Sequence, residues 1–132
     1  MNNTYKERIK TCENGLIMLA YEAEKDSPYE FLITCGHRTI EIQKELYAQG
    51  RTKPGKKVTY IDGEKKKSKH NYIPSKAFDF AVKINGEITW EENYYKEVGD
   101  HFKNVANKLG IKINWGGDFK KFKDYPHIET KI

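Results

Sequence analysis

AFDFAVKINGEITW, residues 77–90, decides the fold. Asn85-Gly86 has the composition of a two-residue hairpin turn, because both turn positions must take positive φ. The runs on either side are rich in β-branched and aromatic residues, so 77–84 and 87–90 are expected to pair as antiparallel strands. Side chains alternate faces along a strand. Phe78, Phe80, Val82 and Ile84 then form one apolar face, and Ala77, Asp79 and Ala81 the other. Asp79 is therefore not a charge buried among phenylalanines. It projects from the reverse face, between small neighbours that leave room for another group.

The last apolar run, YPHIET (125–130), has the same parity. His127 and Glu129 share a face and Ile128 takes the other. If both strands lie in one sheet with their apolar faces together, Asp79 and His127 share the polar face. His70, in the loop before the first strand, can fold over it. Two imidazoles and a carboxylate form a three-ligand set for zinc that leaves a fourth position for water. HExxH is absent, and CxxC is absent too, which excludes a zinc knuckle or thioredoxin motif.

Elsewhere the pattern mixes helices and strands without βαβ alternation. Ile9, Cys12, Leu16, Leu19, Ala20 and Ala23 recur at helical spacing, predicting one helix over 4–25. EFLIT (30–34) reads as a strand. Thr39 caps a helix over IEIQKELYAQ (40–49), and VTYI (58–61) reads as a short strand in a long loop. Thr89 and Glu92 have capping-box spacing for a helix whose stripe is Tyr95, Val98, Phe102, Val105, Ala106 and Leu109. IKINW (111–115) completes the strands, with GGDF after it as a turn. The expectation is α+β: one domain, 1–132, with a small, largely antiparallel sheet and flanking helices.

The 132 residues carry a net charge of +5. Arg51, Lys53, Lys56, Lys57, Lys65, Lys66, Lys67 and Lys69 fall in one loop against only Asp62 and Glu64. Such a loop favours an anionic partner, nucleic acid or an anionic wall polymer. Cys12 and Cys35 read as free thiols, with a disulfide left open by the sequence. MNNTYKERIK lacks the apolar region of a secretion signal, and no stretch is long enough to span a bilayer. Synthesis in the cytoplasm without membrane insertion is expected.

At this point the motifs match a family. SKH (68–70) and AFDF (77–80), with WGGDFKKFKDYPHIE (115–129) downstream, resemble the zinc D,D- and L,D-peptidases of bacterial peptidoglycan, whose fold is shared with the hedgehog signalling domain. The pattern is Ser-x-His, Ala-x-Asp and Asp/Glu-x-x-His, with an arginine after an upstream strand. Ser68, His70, Ala77, Asp79, Asp124 and His127 match it, and TCGHR (34–38) places Arg38. QKELYAQGRTKPG (43–55) is similar to the L-alanyl-D-glutamate endopeptidases of phage endolysins. The chain departs from the family in one spacing: His70 to Asp79 is nine residues where seven is usual, and NYIPS fills the longer loop. His37 is the fallback ligand.

The resemblance implies a zinc peptidase that cuts the peptidoglycan stem peptide at the L-alanyl-D-glutamate bond and acts as a monomer. His70, Asp79 and His127 would hold zinc. Asp124 would be the general base, with Glu129 its competitor. Arg38 would bind the substrate carbonyl or a carboxylate, and Ser68 would bind substrate or orient a ligand. The basic loop would replace a separate wall-binding domain by attraction to an anionic wall, and release to the wall would follow phage or prophage lysis. A D-alanyl-D-alanine carboxypeptidase is the near alternative. A metal-dependent nuclease is the distant one: HNH-type nucleases want their histidines in one compact ββα unit, whereas His127 lies on a remote strand, so no nucleic-acid partner is expected.

Overall fold

A computed structural model describes residues 1–131. Its five-stranded antiparallel sheet is built around the expected hairpin. β1 (Glu30–Cys35), β2 (Ala77–Ile84), β3 (Glu87–Thr89), β4 (Ile113–Trp115) and β5 (His127–Thr130) join in the order β1-β2-β5-β4. The C-terminal half of β2 pairs with β3, and its N-terminal half pairs with β5. Asn85 and Gly86 both have positive φ, 53° and 81°, as the tight turn requires.

The apolar face of the sheet is covered by α1 (Asn3–Ile9), α2 (Asn14–Glu24) and α4 (Glu92–Leu109). Phe102 of α4 is the hub. Its ring meets Phe31, Phe78 and Phe80 edge-on, with centroids 4.9, 5.5 and 5.1 Å away. Such edge-to-face contacts add to the apolar area they remove from water. Tyr95, from the same helix, accepts from the Val82 amide and donates to the Thr89 carbonyl, so its buried hydroxyl is satisfied.

Three local expectations are corrected. The single helix over 4–25 is two helices. Between them the backbone bonds to a distant loop: Ser75 N–H donates to Thr11 O at 2.8 Å, and Glu13 N–H donates to Ser75 O at 2.9 Å. Those long-range bonds displace the i→i−4 ladder around Cys12. Thr89 and Glu92 form no capping box; Glu91 is the N-cap of α4 and has no side-chain cap bond. Residues 58–61 are not a strand. They are held as irregular chain by Gln43, which donates to Thr59 Oγ1 and Ile61 O, and by an edge contact of Tyr60 with Phe122.

The reverse face of the sheet is roofed by the chain between β1 and β2. This segment contains α3 (Ile40–Ala48), capped by Thr39 as expected, and a 3-10 turn at Lys69–Asn71. Only Gln43 of α3 is buried. Both cysteines are free, and burial pushes the Cys12 thiol up to about 12. Among the described residues, no helix is long and apolar enough to cross a membrane.

Candidate metal centre and active site

The site begins with strand register. Asp79 of β2 lies directly opposite His127 of β5 and, across a β-bulge between Ile33 and Cys35, opposite Cys35 of β1. Three adjacent strands therefore line one patch of the reverse face. Ile128 of β5 points the other way and is fully buried in the core.

His70 reaches this patch from the 3-10 turn. Ser68 caps that turn: its hydroxyl accepts from the His70 amide, and its own amide donates to Asn71 Oδ1 at 2.8 Å. Ser68 thus supports the histidine-bearing loop and also lines the cavity. The longer spacer does not carry His70 away. Its ring is almost fully buried and lies 5.1 Å from the His127 ring, centroid to centroid.

Each imidazole is oriented by an acceptor behind it. His70 Nδ1 donates to the Gly36 carbonyl at 2.7 Å, which leaves Nε2 facing Asp79 Oδ1 at 3.1 Å. His127 Nε2 donates to Glu129 at 2.9 Å, which leaves Nδ1 facing the same Asp79 oxygen at 3.2 Å. In the neutral ring, an acceptor on one nitrogen fixes the tautomer and leaves the other nitrogen to serve as a ligand. The two inner nitrogens thus face one Asp79 oxygen, with His70 and His127 in separate clusters that share it. Ligand atoms of Asp79, Asp124 and His127 fall within 4.8 Å of one another, and so do those of Cys35, His70 and Asp79. Asp79 belongs to both sets.

The electrostatics follow from this crowding. Burial alone would lower both imidazoles, but the charge of Asp79 at His70, and hydrogen bonds to Asp79 and Glu129 at His127, outweigh it, pushing His70 up to about 10 and His127 up to about 9. Burial alone would raise Asp79; the two imidazoles hold its carboxyl well below the usual range instead. Glu129 is likewise held down at about 2, against burial, by His127 and Lys69. Asp124 goes the other way. Burial first, then the neighbouring Asp79 charge, raise its carboxyl. Its Oδ2 lies 3.9 Å from His127 Nδ1, and about a third of its side chain is open to the cavity (36%).

Arg38 follows β1, and its guanidinium bridges two groups. Nη2 donates to Asp79 Oδ2 at 3.2 Å and Nη1 to Gln43 Oε1 at 2.9 Å. Glu129 is occupied by His127 and by Lys69 at 3.1 Å. His37 is not with the ligands; its Nδ1 bonds the Tyr72 carbonyl at 3.1 Å.

Two glycines set these positions. A Cβ on Gly36 would lie 2.3 Å from both Arg8 O and Thr11 Oγ1, so only glycine lets its carbonyl reach His70. A Cβ on Gly116 would lie 2.0 Å from Asp124 O. Gly116 O accepts from the Asp124 amide at 2.9 Å and so fixes the turn that presents Asp124. The GGDF segment is a 3-10 turn over Gly116–Asp118.

Sequence reasoning missed Gln43 and Cys35. Gln43 is fully buried and ties Arg38 to the basic loop; a lone polar residue among helical positions gives no signal of that role. Cys35 faces Asp79 only because of the β-bulge, and strand parity does not foresee a bulge.

Comparison with known proteins points to one family. The family model described as phage L-alanyl-D-glutamate peptidase matches residues 1–132. The peptidoglycan L-alanyl-D-glutamate endopeptidase CwlK of Bacillus subtilis is 44% identical over 104 residues, 76% of this chain and 60% of that protein. The chain thus matches less than two thirds of that relative's length. The L-alanyl-D-glutamate peptidase of Escherichia phage T5 is 33% identical over 127 residues, covering 96% of this chain and 85% of the phage protein. Among solved structures, the Serratia marcescens L-Ala D-Glu endopeptidase ChiX superposes with a TM-score of 0.82, over 99% of this chain and 89% of its own, at 23% identity. That likeness speaks to the fold.

Proposed function

The chain belongs to the phage L-alanyl-D-glutamate peptidase family, and from that premise we propose that it is a zinc-dependent hydrolase of the peptidoglycan stem peptide, cutting between L-alanine and D-glutamate. One observation supports this most: His70 Nε2 and His127 Nδ1 converge on a single Asp79 oxygen, with Asp124 beside them at the mouth of the cavity.

The donor set suits zinc. Two imidazoles with their far nitrogens tied to acceptors, plus one carboxylate, are the nitrogen and oxygen ligands of a catalytic site with an open position. His70, Asp79 and His127 would hold the ion, which supplies Lewis acidity to activate water and polarise the scissile carbonyl.

The other steps fall to the chain's own side chains. Asp124 takes the proton of the attacking water and hands it to the departing D-glutamate amine. Its raised pKa brings a carboxylate closer to the range in which a base works near neutral pH. Glu129 is already committed to His127 and Lys69, which makes it a positioning group. Arg38 lines the cavity, and its donors not taken by Asp79 and Gln43 would stabilise the negative charge that grows on the substrate carbonyl. Ser68 holds the His70 turn at the cavity wall.

Replacing Asp124 by Asn tests the base directly. The variant keeps about one zinc per chain, read by metal analysis, and loses on the order of 10²–10⁴ in hydrolysis rate. Wild-type wall lysis by that variant would refute the assignment. The basic loop attracts the protein to an anionic wall, so binding to isolated walls weakens as salt rises. Salt-independent binding would sink that part of the reading.

A further inference from the structure

The cavity in front of Asp79 has a volume of about 820 Å³ and two kinds of charged lining. On its floor the cations are already used: Arg38 is bonded to Asp79, and Lys69 to Glu129. On its rim they are not. Lys67 and Lys76 both line the cavity, and among the described residues neither ammonium has an acidic partner. Both sit over one ring, that of Tyr72, with Nζ 5.2 and 4.6 Å from the centroid.

The backbone fixes this arrangement. Lys67 precedes the capping residue Ser68, and Lys76 immediately precedes β2. The Lys76 amide donates to Lys69 O at 3.0 Å, and the Tyr72 carbonyl accepts from His37. Each lysine lies three residues before a candidate ligand, Lys67 before His70 and Lys76 before Asp79. Gathering two ammonium groups around one aromatic ring orients them without neutralising them. An anion entering the cavity beside this ring is attracted by both charges.

The substrate of the proposed reaction contains such an anion. When L-alanine acylates the amine of D-glutamate, glutamate keeps two carboxyl groups. One continues the peptide and the other is free unless amidated. That free carboxylate must approach a floor containing Asp79, Asp124 and Glu129, and it needs cations to offset them. We propose that Lys67 and Lys76, presented on Tyr72, form a subsite for the free carboxylate of the D-glutamate residue and select acidic over amidated stem peptides. The inference rests on the peptidase reading above.

The test uses two L-Ala–D-Glu–L-Lys peptides joined through the glutamate γ-carboxyl and amidated at the C-terminus. One has a free α-carboxylate on glutamate and the other a carboxamide, so the glutamate group is the only carboxylate that differs. The zinc-loaded wild-type protein should cleave the acid with kcat/KM about tenfold above the amide, as befits a charged hydrogen bond. The ratio should fall to near one in Lys67→Ala/Lys76→Ala and persist in Lys67→Arg/Lys76→Arg. A wild-type ratio near one, or an unchanged ratio in the double alanine variant, would overturn the subsite. Cleavage of neither peptide would count against the peptidase reading instead. The subsite is then read by binding to the Asp124→Asn protein, followed through the NMR signals of the Tyr72 ring: the acid should bind about tenfold tighter, and equal binding would overturn it.

Discussion

His70 and His127 hold protons where a metal would sit. Their pKa values are pushed up to about 10 and about 9 by Asp79, with Glu129 adding to the rise at His127. A metal ligand must present a lone pair, so a zinc ion held as proposed would have to displace those protons. Both folded-state values lie above the ordinary imidazole range. The metal-free protein therefore keeps these protons at neutral pH and sheds them as pH rises through about 9 to 10. Zinc affinity should accordingly climb with pH, and uptake at pH 7 should release protons. Calorimetry in buffers of different ionisation enthalpy reads this directly. Uptake with no proton release would mean that the imidazoles are not the ligands. The parity of AFDF and PHIE made Asp79 and His127 legible as partners, because a two-residue period leaves no choice of face. Gln43 was not legible: its importance comes from being buried between Arg38 and a loop, and neither burial nor that contact is written in IEIQKEL.

Elements were legible where the deciding interactions are local. The Asn85-Gly86 hairpin, the Thr39 cap and the apolar stripe of α4 all rest on neighbours within one or two turns of chain. The break between α1 and α2 was not legible, because Ser75 supplies the competing bonds from more than sixty residues away (Cys12 bridges Ser75). That break also serves the site. Thr11, freed from a helix, accepts the His37 amide through its hydroxyl at 2.8 Å and so helps place the turn that carries Arg38. On the other face, Phe102 anchors α4 to the aromatic residues of the sheet. Phe102→Ala removes a fully buried ring from three aromatic contacts and should destabilise the fold by about 3–5 kcal/mol. Denaturant unfolding measures it, and a loss well under 1 kcal/mol would show that the helix is held elsewhere.

At the scale of the molecule, one sheet separates two tasks. Its apolar face carries α1, α2 and α4 and the aromatic core. Its reverse face carries the acids and imidazoles, under a roof of basic chain. Rigid strands hold Asp79 and His127, while loops bring His70, Arg38 and Asp124 to them. The resulting cavity is acidic at its floor and cationic at its rim, a polarity suited to the short anionic peptide of the proposed reaction. Purified peptidoglycan, incubated with the protein with and without a chelator and then analysed by fragment mass, tests this most directly. The account predicts stem peptides that begin with a free D-glutamate amine, and none when the metal is removed. Fragments that instead lack only a terminal D-alanine, or cleavage at L-alanyl-D-glutamate that survives complete metal removal, would contradict it.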